Sequence, residues 1–325
     1  MATYATNKTS GGNRGSFSTL QHLLQLSYSE NSDDQQNAAI ELAQLIEGTV
    51  FPAVSFGPLA HALSRLVASK HRIVASYAAK GLKLLLLDDT LRLQAAQSGV
   101  SSVVCSSIAL WADEVLCLRE LLGALQTLSW DKTCIKSVIE GNIIPHLIEF
   151  VQASDREVSV LSLAILANIF VHVDTLLLAD TTTLDILSTG IPVILDALGS
   201  VHEKLQRFYA AACVANASAH PRLAVLLKDF GALNLMKEIE RQSLTSFHML
   251  GSKLGECAQT AVNQMSDYKE AKSSARTMKF RFKWGIRPIM ELSLASYAPQ
   301  SQAIIACFGI WLLIVLLTFM PAIFV

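Results

Sequence analysis

TCIKSVIEGNIIPHLIEFVQASDREVSVLSLAILANIF, residues 133–170, decides the fold. A short apolar-patterned segment ends at Gly141-Asn142, and Ile143-Ile144-Pro145 opens a second one, IIPHLIEFVQ (143–152). Asp155-Arg156-Glu157 then interrupts the apolar pattern before a longer stretch that closes near Asn168. That last stretch carries apolar residues at i, i+3, i+4 and i+7, the stripe of a core-facing helix. The spacing predicts three helices, with glycine supplying a sharp turn and proline suiting a helix opening.

The pattern recurs on either side. Gly57, Gly99, Gly141, Gly190 and Gly231 stand 42, 42, 49 and 41 residues apart. DEVLCLRELLGALQTLS (113–129) and HEKLQRFYAAACVANAS (202–218) repeat the long third segment. The small residues Ala164, Ala167 and Ala210–Ala212 suit close helix packing. Periods of about 40–47 residues with two or three helices each mark α-solenoids, in which each unit covers the apolar face of its neighbour.

On these residues the chain resembles the armadillo-repeat family over roughly 57–270. The resemblance implies an all-α, right-handed armadillo-like solenoid of about five units. FSTLQHLLQLSYS (17–29) and QQNAAIELAQLIEG (35–48) fall within an amino-terminal cap over 16–56, and residues 1–15 are polar and expected to be disordered. The resemblance further implies that third helices line a concave face that binds extended peptides through an asparagine near the helix end. Asn168 shares its face with Ala164 and Leu161, and Asn216 with Ala212 and Tyr209. Thr127 and Lys83 take the same place in the two preceding units, so Lys83, Thr127, Leu161, Asn168, Tyr209 and Asn216 are the expected partner-binding residues. The bland alternative is that the asparagines cap or bridge helices. Nuclear-import receptors pair the asparagine with a tryptophan one turn earlier; no Trp-x-x-x-Asn occurs here, which argues against import-signal binding.

No catalytic constellation appears. The chain has no Gly-x-Gly-x-x-Gly, Walker loop, Gly-x-Ser-x-Gly or His-Glu-x-x-His, and its eight histidines are dispersed. His146 reads as a core or edge residue, with no metal and no cofactor expected. Six cysteines lack C-x-x-C spacing and are expected as reduced, buried thiols. Apolar residues make up 51% and charged residues 16%, which excludes global disorder and disulfide scaffolds.

The apolar excess has a clear home. AIIACFGIWLLIVLLTFMPAIFV, 303–325, runs 23 residues without a charge, against the roughly 20 a bilayer-spanning helix requires. A single transmembrane helix is therefore expected over 302–325, inserted after synthesis, with the body cytosolic because bases precede the span and none follow it. No signal peptide is legible at the amino terminus. The endoplasmic reticulum is favoured, with the mitochondrial outer membrane as the alternative.

Net charge is −1, yet residues 1–270 sum to −6 and the remainder to +5. The basic residues concentrate in a juxtamembrane linker, 271–301. Within it Lys279, Phe280, Arg281, Phe282, Lys283 and Trp284 alternate bases with aromatics, and Arg287 follows. Such a composition suits anionic headgroups at about 1 kcal/mol per base; a solvated linker or nucleic-acid contact are the competing explanations, and the acidic body argues against nucleic acid. The sum points to a non-enzymatic, membrane-anchored adaptor for protein partners, with a permanent structural or regulatory subunit as the alternative.

Overall fold

A computed structural model describes residues 12–48, 56–176, 181–200, 203–243 and 249–267. All lie in the first of two compact units, Met1–Arg281; the second, Phe282–Val325, lies outside the described residues, as do the expected span, the basic-aromatic segment and Cys307.

Among the described residues every regular element is a helix. Two helix pairs come first, α1 (Gly12–Leu26) with α2 (Ser32–Gly48), then α3 (Phe56–Val67) with α4 (Arg72–Leu85). Four three-helix units follow: α5–α7 (Asp89–Gln97, Val100–Leu110, Val115–Leu128), α8–α10 (Lys132–Glu140, Ile144–Phe150, Arg156–Leu176), α11–α13 (Thr181–Thr189, Ile191–Gly199, Lys204–Ser218) and α14–α16 (Pro221–Asp229, Ala232–Ser243, Met249–Asp267). The last helix of each unit packs on the last helix of the next, giving one layer in the order α2, α4, α7, α10, α13, α16. Counting α3–α4 as the first, five units follow the α1–α2 cap. The first helix opens at Gly12, inside the stretch expected to be disordered.

Local chemistry accounts for the breaks. Asp88 caps α5 by accepting from the backbone N–H groups of Thr90 and Leu91, and Asp131 caps α8 through Thr133. Pro145, Pro192 and Pro221 sit in first turns, where a missing N–H leaves no bond unmade. The turn glycines divide by mechanism. Gly99 and Gly231 adopt φ of 76° and 82°, the left-handed region glycine tolerates best. In the 133–170 unit that role passes to Asn142, at φ 50°. Gly190 is needed for space, because a Cβ there would stand 2.9 Å from Cγ1 of Ile148.

The core is aliphatic and alanine-rich. Ala78, Ala79, Ala210 and Ala211 are wholly buried, and a Cβ on Gly81 would sit 3.4 Å from Cα of Ala43 on α2. Over Arg156–Val173, α10 is long and apolar enough to cross a membrane, yet 72% of that window is buried in the stack. It also runs on to Leu176, eight residues past Asn168, because Ile169, Phe170 and Val173 prolong the buried stripe. The expected helix end at the asparagine is thus corrected. The described thiols, Cys105, Cys117, Cys134, Cys213 and Cys257, are free and buried, as anticipated. Burial pushes Cys105, Cys117 and Cys257 up to about 12 and Cys134 to about 11. His146 is half-buried and stacks on Phe150, ring centroids 6.1 Å apart.

Candidate partner-binding face

The layer of third helices offers a repeated register. Counting thirteen residues from the residue before each helix leads from His71 to Leu84, Glu114 to Thr127, Asp155 to Asn168 and Glu203 to Asn216. Three of the four anticipated ladder residues therefore occupy equivalent positions. The fourth is corrected: Leu84, not Lys83, stands in line, because α4 opens one residue later than glycine spacing alone implied.

Where the side chains go differs from the expectation. Thr127 is wholly buried, and its hydroxyl donates to the Gly123 carbonyl at 3.0 Å. Asn168 is 8% exposed, with Nδ2 donating to the hydroxyl of Ser129 at the end of α7, 2.7 Å away. Asn216 is half-buried, and its Nδ2 donates to the Ala167 carbonyl on α10 at 2.9 Å. Each asparagine reaches back to the preceding third helix, so both tie unit to unit. Tyr209 is 2% exposed, edge-on to Phe208 at 5.2 Å, and burial raises its phenol well above the usual value. Thr127 and Tyr209 are thereby corrected from surface contacts to core residues. Leu161 and Asn216 keep half-exposed side chains, as does Lys83.

Lys83 is held in place. Its Nζ donates to Oε2 of Glu120 at 2.6 Å, and its stem crosses α7 where a Cβ on Gly123 would stand 2.6 Å from its Cδ. A side chain at 123 would therefore have to push the flexible Lys83 stem off its path to Glu120.

Composition and motif gave no sign of a ladder of ion pairs between units. Arg72 Nη1 donates to Glu114 Oε2 at 3.0 Å. Arg119 forks onto Asp155, with Nε to Oδ1 at 3.0 Å, and Glu157 lies 3.6 Å from the same Nε. Arg156 Nε and Glu203 Oε2 are 2.5 Å apart as an ion contact without hydrogen-bond alignment. In each case a base on one third helix meets an acid at the opening of the next, 42, 36 and 47 positions on. That one-unit recurrence was the available signal. The Arg119 guanidinium holds the Asp155 carboxyl below the ordinary aspartate range, opposed by partial burial and helped by the Val158 N–H. Among the described residues no group of three or more His, Cys, Asp or Glu side chains is arranged to hold a metal.

No protein-family model and no curated protein matches the chain in sequence. Solved structures match its shape. A computationally designed armadillo repeat protein for modular peptide recognition aligns at TM-score 0.60 and 17% identity, covering 75% of this chain and 99% of that one. A designed armadillo repeat protein in complex with the peptide (KR)4 aligns at 0.59 and 16%, covering 75% and 99%. A structure from work on a phosphorylation switch controlling the interaction between cadherin and beta-catenin aligns at 0.65 and 16%, covering 82% of this chain and 49% of that one. At such identities the likeness establishes fold, and the fold is an armadillo-like α-solenoid.

Proposed function

We propose that the protein is a membrane-anchored adaptor whose third-helix layer forms a concave groove for exchangeable protein partners on the cytosolic face of an organelle membrane, the endoplasmic reticulum in the first instance. One observation carries the partner reading: the middle of the layer is polar and half-exposed, with Lys83, Glu120, Arg119 and Asp155 engaged in ion pairs. Such a surface resembles the more polar interfaces of exchangeable complexes, whereas obligate interfaces are more apolar. The peptide-bound and partner-binding armadillo structures support a binding role over a catalytic one. The uncharged run 303–325 supports the anchor, and Lys279–Trp284 with Arg287 suits anionic headgroups beside it.

Affinity purification of the intact chain beside a version ending at Ser301 tests both parts. The shorter chain should leave the alkaline-extracted membrane fraction; if it still pellets, 302–325 is not the anchor. Leu161→Asp, at a half-exposed side chain, should lower partner recovery about ten-fold or more at equal expression and closely similar melting. Unchanged recovery would place partners on another face.

A further inference from the structure

The turn between α1 and α2, residues 27–31, is built by its own side chains. Asn31 opens α2, its Oδ1 accepting from the Asp33 N–H at 3.0 Å. The Ser29 hydroxyl accepts from the Asn31 N–H at 3.1 Å and donates to Asp34 Oδ2 at 2.7 Å. Gln35 Nε2 closes the turn onto the Ser29 carbonyl at 2.8 Å. From this tied turn Tyr28 reaches across to α3. Its ring is 43% exposed and stacks on His61 with centroids 6.0 Å apart, which sets Oη 2.6 Å from His61 Nδ1. Arg65, four residues on along the same face of α3, holds its guanidinium carbon 5.4 Å from the Tyr28 ring centroid. Few of the donors of that guanidinium are engaged. Glu30 is its ion-pair partner among the described residues, at 3.9 Å and with a side chain 99% exposed, and Arg65 makes no hydrogen bond to another described residue.

We infer that Tyr28 is a phosphoacceptor, and that His61 and Arg65 hold the phosphate once it is attached. In the transfer the phenol oxygen bonds to the γ-phosphorus of a magnesium-bound nucleoside triphosphate as the bond from that phosphorus to the bridging oxygen breaks. The nucleoside diphosphate leaves, and a base of the protein-tyrosine kinase takes the phenol proton. Two observations select this tyrosine. The first is access: a kinase has to draw the phenol into its own site, and Tyr28 stands in a turn, whereas Tyr77 lies inside α4 and Tyr209 is buried. The second is the matched charge that meets the product. A phosphotyrosine carries about −1.5 to −2 at neutral pH, and a guanidinium fork takes phosphate oxygens through paired hydrogen bonds. Phosphate attached through Oη starts within reach of His61 Nδ1, and Arg65 has only to turn from the ring face and from Glu30 to meet it. Modification thus exchanges a neutral contact between the α1–α2 cap and α3 for a charged one.

The inference is independent of the groove and of the anchor. The full chain in detergent is incubated with a purified broad-specificity protein-tyrosine kinase and magnesium ATP, and occupancy is followed site by site by mass spectrometry. Tyr28 should be modified at least about ten-fold faster than Tyr77, because an acceptor inside a helix must first be unwound. The attached phosphate is then titrated by phosphorus NMR, with Tyr28→Phe identifying its signal. Its second proton should leave at least about 0.5 pH unit lower in wild type than in Arg65→Gln, since a neighbouring positive charge favours the dianion. Arg65→Lys, which keeps the charge without the fork, should fall between the two. Both variants should melt close to wild type, because the Arg65 side chain is 41% exposed. Equal rates at Tyr28 and Tyr77 would overturn the acceptor assignment, and a phosphate that titrates identically in wild type and Arg65→Gln would overturn the holding site.

Discussion

Tyr77 and Tyr209 stand at the same place in their helices, six residues after His71 and after Glu203. One is 38% exposed and the other 2%. The amino-terminal part of the third-helix layer is open: Ile73, Tyr77 and Leu116 face outward, and Lys83 bridges to Glu120 over a glycine. The carboxyl-terminal part is closed: Tyr209 packs on Phe208, and Asn168 and Asn216 turn back onto the preceding helix. Register within a repeat fixes which face a residue occupies. Burial is set by how deeply the neighbouring helix overlaps it, a property of the stack.

The contrast is easiest to break at its closed end. Tyr209→Ala should destabilise the fold by about 3–5 kcal/mol, the range for losing a buried aromatic, measured by denaturant unfolding; a loss below about 1 kcal/mol would mean the site is not packed as described. Asn168→Ala removes a buried amide and leaves the Ser129 hydroxyl without that partner. It should lower stability by about 1–3 kcal/mol, visible as a shift in the unfolding midpoint at constant slope.

Asp155→Asn sharpens the boundary between the two parts and should cost on the order of 1 kcal/mol at neutral pH. Its sign with pH follows from the depressed carboxyl. The pairing contributes fully above the unfolded aspartate value near 3.9 and fades as pH falls through the lower folded value. Wild-type and variant stabilities should therefore differ at pH 7 and converge below about pH 4. Smallest of all, Tyr77→Ala should change stability by no more than about 0.5 kcal/mol. If it unfolds the protein as Tyr209→Ala does, the open and closed halves are not distinct.

Much of the architecture was legible. The glycine period and the i, i+3, i+4, i+7 stripes pointed to an all-helical, armadillo-like stack, and the described helices have that architecture. Asn168 and Asn216 were correctly paired as equivalents, since equivalence depends only on counting. Their direction was not legible: an asparagine on a helix face can serve a ligand or the next helix, and the choice rests on where Ser129 and the Ala167 carbonyl come to lie. Lys83 was placed one residue out because helix openings, not glycines, set the register. Arg119 and Asp155 escaped notice because an ion pair spanning one unit leaves no local pattern.

The last described helix of the stack, α16, has one more consequence. Among the described side chains of α16 the exposed ones are Ser252, Glu256, Gln259, Asn263 and Ser266, a single polar stripe, while Ala258, Ala261 and Met265 are wholly buried. A further unit laid on that stripe would have to bury five polar side chains, the behaviour of a capping repeat. A tandem duplication of the last unit is thus disfavoured. A block duplicated around Arg119 and Asp155 would instead carry its own matching base and acid to each new junction. Arrays of this kind lengthen from within, and the number of units is a trait that recombination can change only at interior seams.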